Sequence, residues 1–195
     1  TVFAAVQDKK DIAILSHSSS VRAALDDDAL FKHRSVDERV HKQRERLEAL
    51  LAAETAFAQT LARLAQVFLQ PLRDSARTPA PILRADRVDT LCAGPTALTA
   101  PQARFQAALQ ARIAEWDRTT TLSDIVSAHL LEYAAAFVQY LRDFRPATAV
   151  LDEAARLPAY QFWIVRTETD TKLSLDKELA APLLRFPDLF FALQE

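Results

Sequence analysis

Residues 44–72 read RERLEALLAAETAFAQTLARLAQVFLQPL. Stepping by three and four residues picks out Leu47, Leu50, Glu54, Phe57, Leu61, Leu64 and Phe68, one seam of a long amphipathic helix. Glu54 stands where a hydrophobe is expected. A carboxylate buried without a partner costs several kcal/mol or shifts its pKa. Either a neighbouring helix supplies an Arg, a Tyr or a backbone donor, or Glu54 lies at the rim of the seam, or the helix turns this part of its face to a partner molecule.

Upstream, Ser35 and Glu38 have the spacing of a capping box, which predicts that this helix starts there. Pro71 predicts its end near Gln70, because proline lacks an N–H and disfavours the α conformation at the residue before it. Arg39, Lys42 and Arg46 share one face of its first turns and read as a solvated surface, with a lipid contact as the alternative. Residues 1–34, with a serine cluster and the acidic run Asp26 to Asp28, read as a partly ordered lead-in holding one short helix over 21–31.

Downstream, residues 73–89 read as connection, and Gly94 and Pro95 predict an interruption. A helix is expected from Pro101, carrying Phe105, Leu109, Ile113 and Trp116. Thr121 and Asp124 offer a second capping pattern, followed by the stripe Leu122, Ile125, Val126, His129, Leu130, Tyr133, Phe137, Tyr140, Leu141 and Phe144, which Pro146 should end. A shorter helix over 147–156 comes next, then a core cluster of Tyr160, Phe162 and Trp163. Residues 166–172 read as a loop or junction, and the last apolar segment as a helix that kinks or restarts at Pro182 and Pro187.

The 195 residues, half of them apolar, suffice for one domain with a real core, and one Gly with abundant Ala and Leu predicts an all-α fold. A net charge of −2 with mixed signs gives no basic stripe for phosphate backbones, so nucleic acid is not an expected partner. One cysteine, Cys92, permits no internal disulfide and suits a reducing, cytoplasmic setting. No run approaches the roughly 20 apolar residues that span a bilayer. The chain begins without Met and reads as a segment of something longer.

Classical active-site chemistry is missing from the pattern. A single Gly leaves no glycine-rich phosphate loop, and no Ser lies in a G-x-S-x-G turn. His17, His33, His41, His129 and Cys92 have no zinc spacing, and His129 with Glu132 is a single i, i+3 pair where a di-iron bundle needs two. No cofactor and no metal are expected.

The order of landmarks then carries a resemblance. Residues 48–61, EALLAAETAFAQTL, with 68–72, FLQPL, resemble the first conserved region of Dbl homology (RhoGEF) domains, E-L-x-x-T-E-x-x-Y-V-x-x-L ending in F-x-x-P-L. Ile82, Leu83 and Leu91 with Phe105, Leu109, Arg112, Ile113 and Trp116 look like the second region, and Leu122 to Ile125 with Phe137 and Tyr140 are similar to the family's next helix. Residues 178–193, ELAAPLLRFPDLFFAL, look like the third, K-P-V-Q-R-hydrophobic-P-(K/R)-Y-P-L-L-L. The resemblance implies an elongated helical bundle over residues 35–195, without the final helix of such domains, that binds a Rho-family small GTPase and speeds GDP release in signal transduction. It makes the chain at most a nucleotide-exchange catalyst, with membrane proximity coming only through a neighbouring domain. The implied GTPase-binding residues are Glu54, Leu184, Arg185 and Asp188. Leu184 stands in place of the family's Gln and Asp188 in place of a basic residue, which inverts the local charge. A catalytically silent helical scaffold that binds a GTPase or other protein is the alternative, and a membrane-binding module using Arg39, Lys42 and Arg46 a third.

Overall fold

Leucines and phenylalanines at helical spacing gain little from isolated helices and much from burying one stripe against another. The computed structural model, which describes residues 38–117, 120 and 122–192, is helical throughout, with no strand among the described residues. The chain divides into two compact units, residues 1–45 with 117–119 and residues 46–116 with 120–195. In the first, residues 38–45 are helical, and Lys42 Nζ pairs with Glu38 Oε1 at 2.9 Å on an exposed face. The predicted lead-in, the capping residue Ser35 and the second capping residue Thr121 lie outside the described residues.

The second unit opens with α1, regular over residues 46–63, π-helical over Leu64–Leu69 and α-helical again over Gln70–Ala76. Then come α2 (Ala85–Ala114), α3 (Ser123–Ala154), α4 (Pro158–Thr171) and α5 (Leu175–Ala192). Helices α2 and α3 pack extensively against each other. The whole predicted seam of α1, Glu54 included, is buried. Tyr160 is buried as expected and Trp163 partly so, whereas Phe162 is exposed.

The prolines are where the expected boundaries fail. Pro71 does not end α1, because the turn before it widens: Gln70 N–H bonds Ala65 O, five residues back, and the ring enters a π-helical turn instead of a tight one. Connection is confined to residues 77–84. Pro95 and Pro101 lie inside α2, Pro146 inside α3, and Pro182 and Pro187 inside α5. Residues 166–171 continue α4, which closes at Lys172 with φ 60°, a left-handed cap. An interior proline costs about 3 kcal/mol, while each large side chain buried beyond it returns roughly 1.5–3. Leu98, Phe105 and Leu109 lie beyond the first of the α2 prolines, and Val150 and Leu151 beyond Pro146, so core burial carries both helices through.

Gly94 is likewise not a break. It is a close approach of α2 to α3: a Cβ there would stand 2.9 Å from Tyr140 Cδ2. Tyr140 cannot easily yield, since it is buried and its hydroxyl donates to Leu179 O on α5. Gly94→Ala is therefore expected to cost about 1–3 kcal/mol through overpacking, against about 1 kcal/mol gained in helix propensity. A urea denaturation midpoint below that of the unaltered chain checks it, and an unchanged or raised midpoint would show that the ring moves aside.

The buried side chains form two clusters within this unit. One gathers Leu64, Phe68 and Leu72 of α1 with Val88, Leu91, Val150, Tyr160, Leu175 and Leu179. The other gathers Leu47, Leu50, Phe57 and Leu61 with Leu98, Phe105, Leu109, Tyr133, Phe137, Tyr140 and Leu189. Glu54 falls within the α1 stretch that lines the second.

Candidate functional site

Glu54 has no solvent exposure at all, and its carboxylate is satisfied from two other helices. From α5, Arg185 Nη2 donates to Glu54 Oε1 at 2.6 Å. From α2, Gln102 Nε2 donates to Glu54 O at 2.9 Å and, more loosely, to Oε2 at 3.4 Å. One turn on, Gln106 Nε2 donates to Thr55 Oγ1 at 3.0 Å, so two glutamines at i, i+4 on α2 hold successive residues of α1. Arg185 keeps its Nε–H buried without an acceptor among the described residues. The Nη2 contact thus carries the pair.

A second ion pair joins the same helices. Arg63 Nη2 of α1 stands 3.7 Å from Glu178 Oε2 of α5. Residue numbers rise from 54 to 63 on α1 while they fall from 185 to 178 on α5, so the helices run antiparallel at these contacts. The charges also alternate: acid against base, then base against acid. A slide of α5 that brought Glu178 toward Glu54 would meet like charge, which makes the pattern selective for one register.

Aromatic rings of α2, α3 and α5 pack together in the second cluster. Phe105 stacks on Tyr133 with centroids 6.0 Å apart, Tyr133 leans on Phe186 at 6.3 Å, and Phe186 stacks on Phe137 at 4.2 Å. Burial pushes the Tyr133 phenol well above its ordinary range, the negative charge of Glu54 adds to this, and Arg185 opposes it. The folded chain therefore keeps this proton after the unfolded chain has lost its own near pH 10, and stability falls as pH rises beyond that point, by up to about 1.4 kcal/mol per pH unit. In Tyr133→Phe that part of the slope disappears, which denaturation midpoints at about pH 9 and about pH 11 would reveal as a smaller alkaline loss than in the unaltered chain.

Of the residues expected from sequence, Glu54 and Arg185 come together, while Leu184 and Asp188 lie exposed on α5 on either side of Arg185. Glu48, Leu51, Ala52, Thr55, Ala56 and Gln59 form an open face along α1. The sequence pattern did not single out Gln102, Gln106 or Glu178. Gln102 was findable by the signal that exposed Glu54: Leu98, Gln102, Phe105 and Leu109 form a seam interrupted by one polar residue. Glu132, paired with His129 in the sequence pattern, instead forms an ion pair with Arg104 of α2. Among the described residues no group of three or more His, Cys, Asp or Glu could hold a metal ion, and no helix is long and apolar enough to cross a membrane. Cys92 is buried, and that burial pushes its thiol up.

Comparison with known proteins bears on this arrangement. Residues 47–195 match the RhoGEF domain, a span that contains both Glu54 and the whole of α5. The chain is also 29% identical over 96 residues to Rho guanine nucleotide exchange factor 10 of Mus musculus, an alignment that covers 47% of this chain and 7% of that protein. It thus corresponds to a small part of that relative's length.

Proposed function

The chain belongs to the RhoGEF domain family, and from that premise we propose that it catalyses guanine nucleotide exchange on a Rho-type small GTPase in the cytoplasm. The observation that carries this reading is the family match over residues 47–195, which takes in α1 from Leu47 and α5 together. Of the four residues expected to bind the GTPase, we place Leu184 and Asp188 at the contact surface, with Glu54 and Arg185 as the buried ion pair behind them. Exchange of this kind is differential binding: the domain stabilises the nucleotide-free GTPase relative to the nucleotide-bound form and supplies no acid, base or nucleophile.

Release of fluorescently labelled GDP from a panel of Rho-family GTPases tests this directly. The chain is expected to accelerate release from at least one of them. No acceleration from any of them would sink the reading, and saturable binding without acceleration would make the chain a scaffold instead.

A further inference from the structure

Resting on that exchange reading, we propose that Glu54, Arg185 and Gln102 act as positioning residues, fixing the register of α5 on α1, and that Glu54 does not itself touch the GTPase. The carboxylate has no exposed surface, and both of its oxygens already have donors inside the chain, Arg185 at 2.6 Å and Gln102 at 3.4 Å. A GTPase residue could reach it only by displacing Arg185, which is itself 13% exposed, or by parting α1 from α2. Either route strips a buried charge of its partner.

The pair is well placed to set the position of α5. Arg185 lies between the exposed Leu184 and Asp188, so anchoring it fixes where both neighbours stand. The reversed pair Arg63 and Glu178, 3.7 Å apart and without a hydrogen bond between them, adds a weaker charge preference for the same register. Gln102 holds the backbone carbonyl of Glu54 on α1, and Gln106 holds Thr55, a residue of the open α1 face. The contacts that face outward are thus carried by elements whose mutual placement depends on buried polar bonds. A displacement near 1 Å at a recognition surface is enough to cost about 100-fold in rate.

Two compensating replacements in the full chain separate positioning from contact. The first exchanges the charges, Glu54→Arg with Arg185→Glu, and leaves the Gln102 Nε2 bond to the carbonyl at position 54 in place. The second, Glu54→Leu with Arg185→Met, substitutes an apolar pair of similar volume, a change that folded domains tolerate. Each is measured by fluorescent GDP release on the GTPase served by the unaltered chain, with a thermal melt to establish the folded fraction. The single variants Glu54→Arg and Glu54→Leu are expected to lose about 10- to 100-fold. At least one double variant is expected to recover to within about tenfold of the unaltered chain at equal folded fraction, a coupling that independent contacts of Glu54 and Arg185 with the GTPase would not produce. Double variants that melt as folded proteins yet remain as inactive as the singles, or pairs that both fail to fold, would overturn the proposal. Inactivity of the unaltered chain on every GTPase would instead refute the exchange reading on which it rests.

Discussion

Glu54→Ala is expected to destabilise the chain by about 3–5 kcal/mol, because it leaves the Arg185 guanidinium largely buried with no counter-charge. The loss has two parts. Arg185 already carries one unsatisfied buried N–H, and removing Glu54 takes away the acceptor of its Nη2 as well. The second part is the void left where the wholly buried Glu54 side chain stood. Gln102 suffers less, since its stronger bond goes to the backbone carbonyl at position 54, which every substitution there retains. The apolar pair Glu54→Leu with Arg185→Met should therefore come within about 1 kcal/mol of the unaltered chain, and each single change well below it. Urea denaturation of the four proteins and of Glu54→Ala measures this, and a Glu54→Ala loss under about 1 kcal/mol would mean that water or a rotamer change rescues Arg185.

The other large effect belongs to the π-helical stretch. Phe68 is wholly buried and meets Trp163 edge to face, with ring centroids 6.4 Å apart and planes at 87°. Phe68→Ala is expected to cost about 3–5 kcal/mol, and Phe68→Leu nearer 1, the difference being the cavity left beside the indole. Trp163 reports on this directly. Its emission should shift to the red in the folded Ala variant as the neighbouring space opens, whereas Trp116 packs against the other cluster and should not respond. Equal losses for the Ala and Leu variants would indicate that the widened turn, and not the ring, holds α1 against α4.

Much of the fold was legible because burial follows helical spacing. The seam of α1 is buried at every position read from sequence, and so are Phe105, Leu109, Tyr133, Phe137 and Tyr140 in the seams of α2 and α3, whereas Ile113 and Trp116 are half-buried and Leu141 is exposed. Glu54 announced itself by breaking a pattern, and Gln102 broke another in the same way. The helix boundaries were less legible. Proline and glycine are local signals, each worth a few kcal/mol at most, and they were outweighed wherever large apolar residues continued the stripe beyond them. Pro71, Pro95, Pro101, Pro146, Pro182 and Pro187 all sit within continuing helix for that reason.

The sequence by itself determined the all-α class, the buried faces and the identity of the anomalous carboxylate, since spacing and residue type are local properties that the chain displays in one dimension. Only the tertiary structure decided that Glu54 meets Arg185, 131 residues away, with Gln102 between helices, and that the lone glycine marks a helix contact instead of a break. Such pairings depend on which helices neighbour one another and in what register. A carboxylate in a seam states that it needs a partner, and only the packing of α1 against α2 and α5 supplies one.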